Sequence, residues 1–191
     1  GFTQFEDLRG SSEADTFQFD AFDDQLGTVV GLPRQISISG GTGTDELTGN
    51  EHGNTFVVSL LDAGTIGVPG QASNMFSGIE NLTGGAGSDS FRFENGGSLT
   101  GSINGGTGAD ALTGDDDGNV FTINAVNAGL LTDKLTDFSN IERVNGGERA
   151  DTFNINAALS GDGVGTGVPK SIAVDGGLED DTITVATGVV M

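Results

Sequence analysis

The sequence predicts an all-β protein, a right-handed parallel β-solenoid with glycine-rich corners and loops of variable length. Three observations carry the prediction. Glycine supplies 34 of 191 residues and recurs in pairs. Apolar residues stand at fixed offsets on both sides of those pairs, alternating every second position. The glycine-anchored segments also advance in nine-residue steps: residues 105–122 read GGTGADALTGDDDGNVFT and residues 40–57 read GGTGTDELTGNEHGNTFV. Alternation with period two is the mark of a strand with one buried face. Glycine pairs between such strands mark tight corners that need positive φ. Strand–corner–strand units repeated along a chain build a solenoid, because each coil buries its inner face only by stacking on the next.

Taken in order, the chain holds nearly three long units, at about 1–74, 75–136 and 137–191. Each opens on a related nonapeptide: FTQFEDLRG at 2–10, FSGIENLTG at 76–84 and FSNIERVNG at 138–146. A second nonapeptide follows, with Asp15, Asp89 and Asp151 at one position and Phe17, Phe91 and Phe153 two residues on. Glu6, Glu80 and Glu142 lie nine residues before those aspartates, so the opening segment is a worn copy of the one after it. After a spacer, the second half of each unit begins at Gly40, Gly105 and Gly176. The third stops partway at Met191, and the chain opens on Gly1, so a piece of a longer repetitive protein is expected. Spacers of unequal length fit one solenoid that tolerates insertions, not separate globular domains.

The predicted core follows from the same frame. Leu8, Ile38, Leu82, Ile103, Val144 and Val174 stand two places before a corner. Phe17, Leu47, Phe91, Leu112, Phe153 and Ile183 stand seven places after its first glycine. The spacers at 20–35 and 157–170 are expected to leave the coil as loops or to supply a third face. Residues 125–137, AVNAGLLTDKLTD, are the best candidate for a short helical turn.

Composition bounds function. There are 28 Asp and Glu against 7 Lys and Arg, a net charge of −21. Such a surface repels nucleic acid and anionic membrane and attracts cations. Without cysteine there is neither a disulfide framework nor a thiolate metal site, and the lone His52 cannot build a histidine zinc site. No apolar run is long enough for membrane insertion. Collagen is excluded by the lack of a G-X-Y period, and the fixed register of Phe, Ile, Leu and Val argues against disorder.

The corners carry the chemistry. A tight glycine corner exposes backbone carbonyls, and an aspartate at its end adds a carboxylate, which together are the hard oxygens that Ca²⁺ prefers. Three corners have the full pattern GGxGxD: Gly40, Gly41, Gly43 and Asp45; Gly84, Gly85, Gly87 and Asp89; Gly105, Gly106, Gly108 and Asp110. The other reading of such an aspartate is a cap that accepts backbone N–H groups, as Asx turns do. That reading is favoured for Asn54 and Asn119, whose amides carry no charge.

The three intact nonapeptides resemble the calcium-binding GGxGxDxUx repeat of RTX, or haemolysin-type, proteins. The resemblance implies a parallel β-roll, Ca²⁺ bound by those glycine carbonyls and aspartates, calcium-assisted folding, and a secreted bacterial protein. The longer unit, with corners such as IENLTGG and SINGG, resembles the repeats of giant secreted bacterial surface proteins, adhesins with β-helical stalks. The sequence departs from the tandem roll in two ways: no more than two nonapeptides run together, and Glu13, Arg149 and Glu179 replace the third glycine of the pattern. Arg149 is a candidate cation partner for Asp151 in place of a metal.

The expected function is therefore structural: an acidic stalk or fibre segment of an extracellular, cell-surface or biofilm-matrix protein, with Ca²⁺ as candidate cofactor. Its expected partners are neighbouring repeats of the same protein, with end-to-end self-association, and neither nucleic acid nor membrane. One alternative is a calcium-dependent folding and secretion module of RTX type. Another is a β-helical polysaccharide lyase or hydrolase using Asp115, Asp116 and Asp117. The bland reading of that acid run is a solvated turn, and it is favoured because the equivalent turn in the first unit is Asn50, Glu51 and His52. No catalytic residues are assigned. Trp and Tyr, the usual saccharide platforms, are absent, and the phenylalanines occupy core positions.

Overall fold

The computed structural model describes residues 7–19, 36–70, 72–156 and 172–186; the spacers at 20–35 and 157–170 lie outside them. The described chain is all strand, with no helix among its residues. In chain order the strands are β1 (Asp7–Arg9), β2 (Thr16–Gln18), β3 (Ser37–Ser39), β4 (Glu46–Thr48), β5 (Thr55–Leu60), β6 (Ala63–Gly67), β7 (Asn74–Ser77), β8 (Asn81–Thr83) and β9 (Ser90–Phe93). They continue as β10 (Ser102–Asn104), β11 (Ala111–Thr113), β12 (Val120–Ala125), β13 (Ala128–Leu131), β14 (Leu135–Ser139), β15 (Arg143–Gly147), β16 (Thr152–Ile155), β17 (Ala173–Gly177) and β18 (Thr182–Val185).

The strands form two nine-stranded sheets, ordered β1-β3-β7-β6-β5-β9-β11-β15-β17 and β2-β4-β8-β10-β14-β13-β12-β16-β18. At strand spacing, nine rungs make a stack about 40 Å long. The pairings that involve β6 and β13 are antiparallel and all others are parallel, so the fold is a parallel β-solenoid with one reversed strand in each sheet.

The reversed strands correct one expectation. Residues 125–137 form no helical turn: they are the end of β12, all of β13 and the start of β14, an antiparallel meander. Its turns pass through Asn127 (φ 57°) and Asp133 (φ 63°), left-handed conformations that these polar residues tolerate. Leu131, Leu135 and Phe138 point inward, so the chain buries them by alternation across strands. The spacer after β4 does the same in the other sheet, with β5, β6 and β7 as its meander. Both meanders stay within the sheets of the coil.

Between the sheets lies one apolar core. Of the twelve predicted core positions, Ile38, Leu47, Leu82, Phe91, Ile103, Leu112, Val144 and Phe153 are buried. They stack in register from rung to rung, as in Leu47↔Leu82 and Leu112↔Val144. Phe56 stacks on Phe91 at 4.7 Å, and Phe121 on Phe153 at 5.2 Å. The exceptions lie on the outermost rungs: Leu8 and Ile183 are 42% and 55% exposed, and Phe17 and Val174 are half-buried. Inward position alone does not bury a side chain in a solenoid; a neighbouring rung must cover it.

Corner backbones stack as closely as the strands. At Gly108 (φ +142°) a Cβ would overlap the carbonyl oxygen of Gly87 on the adjoining corner, so glycine is required by conformation and by space. Where Glu179 replaces the glycine of the pattern, the backbone still takes the left-handed form, φ 64°.

Candidate functional site

The acids at the ends of the corners are brought together as ladders along the two edges of the solenoid. On the edge where the chain passes from the second sheet to the first, Asn54, Asp89, Asp110 and Glu142 lie one above another. The Asn54 N–H donates to Asp89 Oδ1 (2.6 Å), the Asp89 N–H to Asp110 Oδ1 (2.8 Å), and the Asp110 N–H to Glu142 Oε2 (2.9 Å). The opposite edge carries two shorter ladders. In one, the Asp15 N–H donates to Asp45 Oδ1 (2.8 Å) and the Asp45 N–H to Glu80 Oε2 (2.7 Å). In the other, the Asn119 N–H donates to Asp151 Oδ1 (2.7 Å) and the Asp151 N–H to Asp181 Oδ1 (2.8 Å). One carboxylate oxygen thus satisfies the backbone donor of the adjoining rung, which is why an acid or amide stands at each of these places.

The three intact corners are therefore not equivalent. Asp89 and Asp110 are direct neighbours in one ladder, whereas Asp45 lies on the other edge. Within each corner the twelve candidate ligands also divide. The aspartate and the first glycine (Gly40, Gly84 or Gly105) are buried; Gly41, Gly43 and Gly108 are exposed, with Gly85, Gly87 and Gly106 half-buried.

The second carboxylate oxygen is the anomaly. Oδ2 of Asp45, Asp89, Asp110 and Asp151 is buried with no hydrogen-bond partner. Each faces the side-chain side of its own corner's first glycine, where a Cβ would also meet a carbonyl oxygen of the adjoining rung: Gly78 at Gly40, Gly105 at Gly84, Asn140 at Gly105 and Gly176 at Gly146. The asparagine corners show what this place asks for. The Asn54 Nδ2 donates to the carbonyls of Asn50 (3.2 Å) and Gly84 (3.1 Å) and to Asp89 Oδ1 (2.8 Å). The Asn119 Nδ2 likewise reaches the carbonyls of Asp115 (2.9 Å), Asp117 (2.7 Å) and Gly146 (3.2 Å). The asparagine Oδ1 accepts the N–H of Asn50 or Asp115, both at 3.3 Å, so both asparagines are corner caps as expected. At the four buried aspartates the position offers acceptors and no donor, so an amide fits it better than a bare carboxylate oxygen; at Asp15, on an outermost rung, the same oxygen accepts the Ser11 N–H (2.6 Å) and hydroxyl (3.0 Å) instead.

The electrostatics agree. Burial raises the Asp110 carboxyl to about 6, with the neighbouring Asp89 and Glu142 carboxylates adding to the rise against the hydrogen bond from the Asp89 N–H. Burial also raises Asp89 and Asp151; the carboxylates of Asp181 and Asp115 add to the rise at Asp151. A positive charge or a proton at these oxygens would relieve the misfit.

The donor set matches Ca²⁺ in kind, since an unpartnered carboxylate oxygen beside carbonyl oxygens is hard-oxygen chemistry. In number it is lean. Each corner brings one carboxylate, and no group of three or more His, Asp or Glu side chains suited to a metal forms among the described residues. Ca²⁺ takes six to eight oxygens, so carbonyls would have to supply most of them.

The remaining candidates separate. Asp115 is buried and pairs with Lys134 from the turn between β13 and β14; its Oδ1 accepts the Asp117 N–H at 3.2 Å. Asp116 and Asp117 are exposed on the outer corner. Arg149 does not pair with Asp151: it lies 3.9 Å from Asp117 Oδ1, on the surface. His52 is exposed beside Glu51. The sequence gives no ladder role for Asp15, Glu80, Glu142, Asp151 or Asp181, although nine-residue offsets tie Glu80 to Asp89 and Glu142 to Asp151 as the same position.

No family model, no curated protein and no solved structure matches this chain.

Proposed function

We propose that this chain is a load-bearing stalk or fibre segment of a large secreted bacterial surface protein, and that Ca²⁺ stiffens its corners. One observation carries the reading most directly. The acids that could do chemistry are spread along two edges, and their backbone-bonding oxygens tie rung to rung across a continuous apolar core. That arrangement suits resistance to stretching and presentation of a surface better than turnover. For a lyase or hydrolase the acids should converge on a cleft, and Asp115 instead spends its charge on Lys134. An antibody raised against the chain should label intact cells of its source; labelling confined to permeabilised cells would sink the surface assignment.

A second reading, an RTX-type module that folds only on calcium, draws on the orphaned oxygens of Asp45, Asp89 and Asp110. The Asp45, Asp89 and Asp110 carboxylates, with neighbouring backbone carbonyls, would hold Ca²⁺, which would supply the positive charge those oxygens lack. The two readings part in a thermal melt with chelator and with millimolar Ca²⁺. The stalk stays folded in chelator and gains stability with calcium by mass action. The module is unfolded in chelator. A melt unchanged by calcium would remove the metal from both.

A further inference from the structure

We propose that the two outermost rungs are the complementary halves of one interface, and that a second copy of this chain docks there head to tail, β17 against β1 and β18 against β2. The rung-to-rung contact inside the molecule is the template. The Glu46 N–H donates to the Asp15 carbonyl, and the Thr182 N–H to the Asp151 carbonyl. By the same register the Thr16 N–H of one copy meets the Asp181 carbonyl of the other. The Gly10 N–H donates to the Ser39 carbonyl and the Gly40 N–H to the Ser77 carbonyl, so the Gly176 N–H meets the carbonyl of Arg9. The acid ladder continues too: the Asp151 N–H donates to Asp181 Oδ1, and the Asp181 N–H then meets Asp15 Oδ1. At each position one end offers a donor and the other an acceptor. Among the described residues no strand pairs with the outer side of β1, β2, β17 or β18.

The side chains agree with the hydrogen bonds. Leu8 and Ile183, inward in register yet 42% and 55% exposed, would each gain the cover that buries their counterparts on inner rungs. The register places Ile183 over Phe17 and Val174 over Leu8, and it seats Arg9 beside Asp175. Glu13 and Asp15 at one end face Glu179, Asp180 and Asp181 at the other, so docking strengthens with salt. Open strand edges of this kind are templates for pairing, and a heterologous contact that does not close on itself grows as a filament.

Sedimentation velocity across a concentration series, in chelator and at an ionic strength of about 1 M, where screening acts over about 3 Å, tests this. The intact chain should give a concentration-dependent series of longer species. Thr16→Pro removes the outward N–H at the head, and Leu8→Glu is an independent head block. Ile183→Glu blocks the tail. Each variant alone should sediment as a monomer with an unchanged thermal melt, and a head variant mixed with the tail variant should form a pair and nothing larger. A monomer at every concentration of the intact chain overturns the proposal, as does association by Ile183→Glu alone or by a head variant alone.

Discussion

Asn119 and Asp151 hold the same place in adjoining corners, and one group separates them. The amide of Asn119 offers two hydrogens to a ring of carbonyls, while Asp151 offers an oxygen that nothing satisfies. Asn54 and Asp89 repeat the contrast on the other edge. The difference teaches that the inner corners present an acceptor-rich place to the side chain that fills them. An asparagine closes the corner unaided; a buried aspartate whose second oxygen meets no donor, unlike Asp15 with Ser11, is relieved by a proton or a cation. A parallel contrast stands at the second residue of the two meander-bearing corners, where the first unit has Asn50 and the second has Asp115 paired with Lys134.

The largest effect should come from breaking that pair. Lys134→Met leaves the Asp115 carboxylate buried and uncompensated, at a cost of about 3–5 kcal/mol by chemical denaturation at neutral pH; the counterpart Asn50 has no charge to compensate, although its buried Nδ2 has no hydrogen-bond partner. Next, Asn119→Asp exchanges the donor for an acceptor beside Asp151 and should cost about 2–3 kcal/mol at neutral pH, less in mild acid. A stability equal to the parent's would show that the carbonyl ring does not discriminate.

Asp110→Asn should act in the opposite direction. Its Oδ1 can still accept the Asp89 N–H, while its amide reaches the acceptors that face Oδ2, so in chelator at neutral pH stability should rise by about 1 kcal/mol. The same variant should reduce the calcium-dependent shift in Tm.

The smallest effect is the pH profile. The Asp110 carboxyl is raised in the folded chain to about 6, above its unfolded value, so folding favours its protonated form. That contribution is fully present below the ordinary aspartate range and is lost as pH rises through about 6. Asp89 and Asp151, also raised, act with the same sign. In chelator, Tm should therefore be higher near pH 5 than near pH 7.5. Relief of the overall negative charge acts in the same direction, so the discriminating result is a flatter profile in Asp110→Asn.

Much of the fold was legible because a solenoid is written in local terms. Glycine pairs and period-two alternation located Ile38, Leu47, Leu82, Phe91, Ile103, Leu112, Val144 and Phe153, all of which are buried. The meanders were not legible. AGLLTDKLTD has the same apolar spacing whether it turns as a helix or runs as two short strands, and only the adjacent β12 and the unfilled place in the sheet decide for strands. The nine-residue offset marked Glu80 and Glu142 as worn copies of an aspartate. That they accept N–H groups from Asp45 and Asp110 depends on which corners become neighbours, and the meanders set that.

By itself the sequence determined the strands that flank the glycine corners, the corners and their inward-facing residues, because each depends on a glycine's conformational freedom or on alternation over a few positions. Tertiary structure alone decided that Asp89 sits against Asp110 and Asp45 apart from both, that Asp115 meets Lys134, and that Leu8 and Ile183 are left uncovered. Those outcomes depend on which rung stacks on which, and residues far apart in the chain settle that together.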